Sequence, residues 1–364
     1  MKKIGILTFH CAHNYGAVLQ CYALQEYLKS LGYDARVINY RPKYLFKAYR
    51  IINRRGFKTS NPVRLIRNLF HELLMAPIRC VRRYRFYRFI RTNLILTPAV
   101  SKNAIPSDFD AYVVGSDQIW NPDITRGFDN VYFCDFQFQK GDRRYLSYAA
   151  SAEMDSLNAE DADFYRTALV NLDSISVREG RLKEMLQPLS QKEIAHVLDP
   201  ALLIDRGMWG KIASDNPVKG RYVLVYQVRE DKETEKIAQQ VADQLGIRVV
   251  SLVAKVDAFR SNACLTTAPE HFVTMIRDAD CVITTSFHAT AFSIIFNRPF
   301  YAVRLNDGKD SRVGSLLESL GLVDRLVEKD DKPVFSDIEY TEANRRLDIL
   351  RSGSQDYLKS ALSL

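Results

Sequence analysis

The chain has 364 residues, 47% of them hydrophobic and 26% charged, with a formal net charge of +8. That is the balance of a folded protein with room for two domains, which excludes a disordered chain, and no run approaches the roughly twenty apolar residues of a membrane span. Six cysteines form no C-x-x-C pair and no third ligand accompanies His10 and His13, so no metal is expected and reduced thiols in the cytoplasm are the simplest reading.

Lys3–Phe9 predicts a strand, because His10, His13 and Asn14 cut its apolar run too short for a signal peptide. A loop over 10–17 leads into an amphipathic helix, Val18–Leu31, closed by Gly32, and then a strand, Ala35–Tyr40, completes a βαβ unit. The loop lacks G-x-G-x-x-G spacing, so no nicotinamide or flavin cofactor is inferred. Gly16 either lets a small ligand approach the backbone or serves a tight turn alone.

The positive charge is concentrated after this unit. Residues 41–91 carry 15 Lys or Arg against one acid, Glu72, so the rest of the chain is net negative. Asn61-Pro62 predicts a helix start, Val63–Met75 a helix, and Pro77 the start of a second helix. In that second helix Tyr84, Phe86, Tyr87 and Phe89 alternate with Arg82, Arg83, Arg85, Arg88 and Arg91. Such an insertion can lie on an anionic membrane through residues 62–91, bind nucleic acid, or cover apolar surface with its arginine stems. Nucleic acid is not the expected partner.

Asp110–Gly115 predicts the next strand, running into a loop that carries Asp117, Gln118, Trp120 and Asn121. A carboxylate, two amides and an indole suit a sugar ring; the plainer alternatives are a loop cap for Asp117 and a core position for Trp120. Strand Arg144–Ala149, helix Asp161–Leu172 and strand Ser174–Val177 follow, ending at Arg178. Its guanidinium can hold a carboxylate or phosphate, or pair with Glu179. Ile194–Pro200 closes a first domain, residues 1–200, with the basic helical insertion over 41–100.

The second domain, 201–364, opens with strand Arg221–Gln227, helix Thr234–Leu245 and strand Ile247–Leu252. Ala279–Thr285 then predicts a strand that turns directly into a helix at Ser286-Phe287-His288-Ala289-Thr290. Helix N–H groups at the carboxyl edge of a parallel sheet make an anion site, with Ser286, His288 and Thr290 around it; the same three residues can also simply cap the helix. The tail Glu342–Leu364 predicts a helix that packs back on the first domain. The alternation of elements predicts an α/β fold with parallel sheets.

Six blocks, Asn14–Gln20, Gly115–Pro122, Ser147–Ser151, Ser176–Glu179, Leu198–Leu203 and Ser286–Thr290, occur in this order. Together they resemble the bacterial polysaccharide pyruvyltransferase family over most of residues 1–325. The resemblance implies a GT-B-like fold of two Rossmann-like domains facing across a cleft, with phosphoenolpyruvate as donor and co-substrate, no other cofactor, and a sugar hydroxyl pair as acceptor. Capsule-type acceptors of this family are built on a lipid carrier at the inner face of the membrane. Relatives with an Arg-Leu-His motif bind the donor through that Arg; Ser286 stands there in this chain, which shifts more of the donor's charge neutralisation to Arg178 or a distant basic residue.

On this reading His288 is the proton donor or a phosphate ligand and Asp117 the base for the acceptor hydroxyl. Arg178, Ser286 and Thr290 bind the donor, and Asn14, Gly16, Gln20, Gln118, Trp120 and Asn121 bind the acceptor. The alternative activity is that of a nucleotide-sugar glycosyltransferase on the same fold, which would want a ribose-binding carboxylate in the second domain; none is obvious beside Ser286–Thr290.

Overall fold

The computed structural model describes residues 1–363 apart from 49–50, 53–56, 58–59, 155, 229, 255, 257–262 and 306–310. Part of the basic segment 41–91 therefore lies outside the described residues.

The predicted βαβ unit is present as β1 (Lys3–Leu7), α1 (Tyr15–Ser30) and β2 (Asp34–Val37). Helix α1 begins three residues earlier than expected, because the Asn14 side chain accepts the N–H of Ala17 at 3.3 Å and caps it. Gly16 consequently belongs to the first helical turn. The chain continues through α2 (Lys43–Ala48), α3 (Pro62–Asn93), β3 (Ala111–Gly115), α4 (Pro122–Thr125), β4 (Arg144–Tyr148), α5 (Ala159–Ala168), β5 (Ile175–Val177), α6 (Gly180–Leu186) and β6 (Ile194–His196).

Strands β2-β1-β3-β4 form a parallel sheet. Parallel bridges Leu146–Ser174 and Ala150–Val177 join the β5–β6 pair to its β4 edge. After α7 (Arg206–Gly210), the second sheet is built from β7 (Tyr222–Gln227), β8 (Arg248–Val253), β9 (Ala263–Cys264), β10 (Cys281–Thr284), β11 (Phe300–Val303) and β12 (Leu326–Val327). Its order is β12-β11-β10-β7-β8-β9, parallel throughout. Helices α8 (Lys232–Leu245), α9 (Pro269–Arg277), α10 (Phe287–Ile295) and α11 (Ser311–Leu320) connect these strands, and α12 (Thr341–Leu362) follows. The central strands read AYVVG, YVLVYQ and CVIT and are buried along their whole length, as strands with helices on both faces must be.

The fold is GT-B-like: two Rossmann-like domains facing each other. In the first the strand order reverses between β1 and β3, and in the second between β7 and β10; such switch points are where open α/β sheets bind ligands.

The two halves are bolted together by residues of the Asn14–Gln20 block and of α3. Tyr15 is fully buried; its hydroxyl donates to the Thr267 carbonyl at 3.1 Å and its ring stacks on Phe272 at 4.6 Å. Arg82 meets that hydroxyl at 3.0 Å and donates to the carbonyls of Val253 and Ala254 beyond β8. Arg85 donates to Thr266 and Arg88 pairs with Glu270. Helix α12 returns to the first domain: Ser354 Oγ accepts the Leu198 N–H, Arg351 donates to the Leu202 carbonyl, and Tyr357 donates to the Ser147 carbonyl at 2.8 Å.

One expectation is corrected. Residues 62–93 form a single helix with Pro77 inside it, not two helices. Proline removes one helical hydrogen bond and crowds the preceding turn. Here the Glu72–Arg79 ion pair, 2.5 Å long, bridges across it, and Met75 is buried in a cluster with Val253, Val256 and Leu265.

Candidate active site

Strand β10 ends at Thr284, whose Oγ1 accepts the Ser286 N–H at 3.0 Å. Ser286 caps α10, its Oγ accepting the Ala289 N–H at 3.5 Å. His288 stands in the first turn, 8% exposed, with Nε2 at 3.6 Å from Oδ2 of Asp199. That is ion-pair distance but beyond hydrogen-bonding reach, and Nε2 has no hydrogen-bond partner among the described residues. The opposite edge of the ring rests on the first domain: a Cβ on Gly16 would lie 2.1 Å from Nδ1. The two switch points therefore meet at this histidine.

Behind His288 lies a buried charge network. Asp199 Oδ1 accepts the Ala201 N–H at 2.9 Å, while Oδ2 accepts from Ser116 Oγ at 3.0 Å and Arg178 Nη1 at 2.7 Å. Burial pushes the Asp199 carboxyl up, but His288, Arg178 and the Ala201 N–H pull the other way and hold it well below the usual carboxylate range. Arg178 also donates from Nε to Glu179 at 3.0 Å and from Nη2 to Ser151 at 2.9 Å, and its guanidinium lies 5.0 Å from the centre of the Phe287 ring. Burial alone would pull the arginine down; Glu179 and Asp199 outweigh it and keep the group firmly protonated.

The loop after β3 supplies the facing wall. A Cβ on Gly115 would stand 1.9 Å from the Tyr148 carbonyl oxygen, so only glycine fits there. Ser116 and Asp117 follow at φ of 46° and 53°, left-handed conformations that cost about 1 kcal/mol or more each for such residues. This turn aims Ser116 at Asp199 and leaves Asp117 on the rim of a cavity of about 320 Å³, with Asn14, Gln118, Glu153, His288 and Arg312 also in its lining. Gln118 donates to Glu153 at 3.1 Å and accepts from Asn121 at 2.6 Å. Arg312, from α11, forks onto the Glu153 carboxylate at 3.2 and 3.1 Å and so spans the cleft.

The expected site residues thus divide. Asn14, Asp117, Gln118, Asn121, Ser286 and His288 converge on the cavity. Gly16 seats the histidine ring rather than a ligand. Four further expectations are corrected. Trp120 is fully buried, stacked on Phe133 at 5.0 Å with its indole N–H donating to the Tyr132 carbonyl, so it offers no platform. Gln20 is fully buried and donates to Thr8 and to the Ala17 carbonyl. Thr290 is fully buried and donates to the Ser286 carbonyl, holding the helix turn. Arg178 has a side chain only 2% exposed, with Nε held by Glu179, Nη1 by Asp199 and Nη2 by Ser151, and it stands outside the lining of this cavity, which it meets through Asp199 and His288. Asp199, Glu153 and Arg312 were not anticipated. Asp199 stood in the sequence only as part of the Leu198–Leu203 block and of the segment closing the first domain, where it caps the turn at Pro200, and Arg312 falls in no motif.

Among the described residues no group of three or more His, Cys, Asp or Glu is placed to hold a metal ion, and no helix is long and apolar enough to cross a membrane.

Two Rossmann-like domains whose switch points close on one buried histidine define a two-domain cleft protein of GT-B-like architecture. The polysaccharide pyruvyl transferase family matches over residues 14–307, and the chain belongs to that family of transferases. No curated protein matches the sequence. Among solved structures, UDP-GlcNAc 2-epimerase from Neisseria meningitidis bound to UDP-GlcNAc shares 9% identity and a TM-score of 0.45, over 100% of this chain and 94% of that one. UDP-N-acetylglucosamine 2-epimerase from Rickettsia bellii shares 8% and 0.44, over 99% and 96%. Likeness this remote carries no argument about activity.

Proposed function

We propose that the protein transfers the three-carbon unit of phosphoenolpyruvate to a hydroxyl pair of a saccharide, forming a pyruvate ketal and releasing phosphate. The observation that carries this reading is the meeting of His288, backed by Asp199, with Asp117 and Arg312 around one cavity. Ketal formation needs a proton donor, a base and a cation in one place.

His288 gives its proton to the donor's methylene carbon, which becomes a methyl group and leaves C2 electron-poor. A saccharide hydroxyl bonds to C2 and loses its proton to Asp117. The C2–O bond to phosphate then breaks, with the electron pair leaving on phosphate, which takes the proton held by Asp117. The second hydroxyl bonds to C2, closing the ring, and its proton returns to His288. Asp199 orients the imidazole from the Nε2 side, and the Ser286 cap points the N-terminus of α10 toward the anion. Arg312 supplies the mobile positive charge, exchanging Glu153 for the donor's carboxylate or phosphate.

The test is phosphate release from phosphoenolpyruvate against a panel of aryl and lipid-linked glycosides, with the ketal methyl group followed by NMR. Release that needs a saccharide supports the reading. No release with any glycoside, alongside consumption of a UDP-sugar, would replace it with glycosyl transfer.

A further inference from the structure

Helix α3 has two apolar sides, and among the described residues only one is covered. Met75, Phe86, Phe89 and Ile90 are buried against the body of the protein. On the opposite side Ile66, Phe70, Leu73, Leu74, Val81 and Tyr84 recur at helical spacing in the open, Phe70 being 63% and Leu73 64% exposed. Single exposed apolar residues are ordinary, but a row along about five turns of one helix is not.

The charge around this row says what covers it. Glu72, the one acid of residues 41–91, is taken by Arg79. Arg88 is paired with Glu270, and Arg82 and Arg85 are spent on the second domain. Arg64, Arg67 and Arg83, by contrast, have no acidic partner among the described residues. At the C-terminal end of the row a cavity of about 290 Å³ opens, with Arg41, Arg83, Arg91, Tyr84 and Tyr87 in its lining. A second copy of the chain laid face to face would bring the same unpaired arginines against their equivalents, with no carboxylate to neutralise them. An anionic bilayer supplies both missing components, an apolar layer for the leucine and phenylalanine side chains and phosphates for the arginines.

We propose that the outward face of α3, from Ile66 to Tyr84, rests in the surface of an anionic lipid bilayer, with lipid phosphates taken by Arg67 and the Arg83–Arg91 cavity. Arg82, Arg85 and Arg88 have no part in this contact, because they hold the helix to the second domain. The proposal is independent of the reaction in the cleft.

The experiment is co-sedimentation of the full chain with phosphatidylglycerol and phosphatidylcholine vesicles at low and high salt, alongside its mass in solution by light scattering. Two variants accompany it, Ile66→Gln/Phe70→Gln/Leu73→Gln and Arg67→Gln/Arg83→Gln/Arg91→Gln. The wild-type protein is expected to bind phosphatidylglycerol at least tenfold more tightly than phosphatidylcholine, with the preference falling as salt rises. Each variant should lose at least tenfold while keeping the wild-type circular dichroism. The proposal is overturned if the wild-type protein stays in the supernatant with phosphatidylglycerol, or if the apolar triple variant binds as well as wild type. A dimer that the apolar substitutions dissociate, with no vesicle binding, would give the face to a second copy instead.

Discussion

Gly16 of the first domain lies so close beneath His288 of the second that any side chain at 16 would occupy the imidazole's place, a Cβ falling 2.1 Å from Nδ1. Gly16→Ala must therefore displace the ring or part the domains. Turnover is expected to fall at least about a hundredfold, the scale of losing an acid–base group, with a stability loss of about 1–3 kcal/mol from overpacking. Steady-state kinetics and thermal unfolding of the variant check both; wild-type turnover would mean that the contact is incidental.

His288→Gln keeps a polar group of similar reach but cannot give up a proton. The expected result is an unchanged fold by circular dichroism and a fall of about a hundredfold or more in phosphate release. Activity within about threefold of wild type would remove His288 from the chemistry.

Asp199→Asn breaks the charge network at its centre, leaving Arg178 buried beside a neutral amide. Removing one partner of a buried ion pair costs about 3–5 kcal/mol, which denaturant unfolding at pH 7 would detect. The pH dependence has a definite sign. The carboxyl is held well below its ordinary value in the folded state, so its stabilisation is fully present above the unfolded value of about 3.9 and is lost as pH falls further toward the folded one. The asparagine variant should lose stability less steeply than wild type below about pH 4.

Arg178→Lys is expected to act on stability before it acts on donor affinity. A lysine ammonium cannot reach Asp199, Glu179 and Ser151 from the three edges of a planar fork. A raised KM for phosphoenolpyruvate with unchanged unfolding would contradict this and return Arg178 to a donor-binding role.

Arg312 and Glu153 separate by kinetics. Arg312→Gln should raise the donor KM at least about tenfold, since it removes a charge-assisted fork. Glu153→Gln leaves the guanidinium in place with its partner neutral, and the donor KM should stay the same or fall. Equal increases in both variants would show that the bridge matters only as a strut.

Most strands and the parallel sheets were legible because the strands are runs such as Tyr112–Val114 and Val223–Tyr226, buried on both faces and marked by composition alone. His288, Asp117 and Asn14 were legible for a related reason, since they sit where a strand gives way to a helix or loop and polar residues interrupt an apolar pattern. Trp120 and Arg178 misled for the opposite reason. A residue at a strand end can turn inward as easily as outward, and the sequence does not carry the direction. Asp199, Glu153 and Arg312 come from three distant segments, and only the packing of the two domains brings them near one another. Pro77 gave a false helix boundary because the Glu72–Arg79 pair that spans it is a tertiary detail of the helix surface.

The return of α12 to the first domain has a mechanical consequence. The chain passes between the two halves near residues 197–221 and again at Thr341–Leu362, where Arg351 and Tyr357 fasten onto Leu202 and Ser147. A body pinned along two adjacent tethers swings like a door on its jamb, about one axis, whereas a single tether would let it twist freely. Because Tyr15, Arg82 and Arg88 also tie the first domain to the second, any swing about that axis must part those contacts together with the seat of His288 on Gly16, so the site opens and closes as one unit.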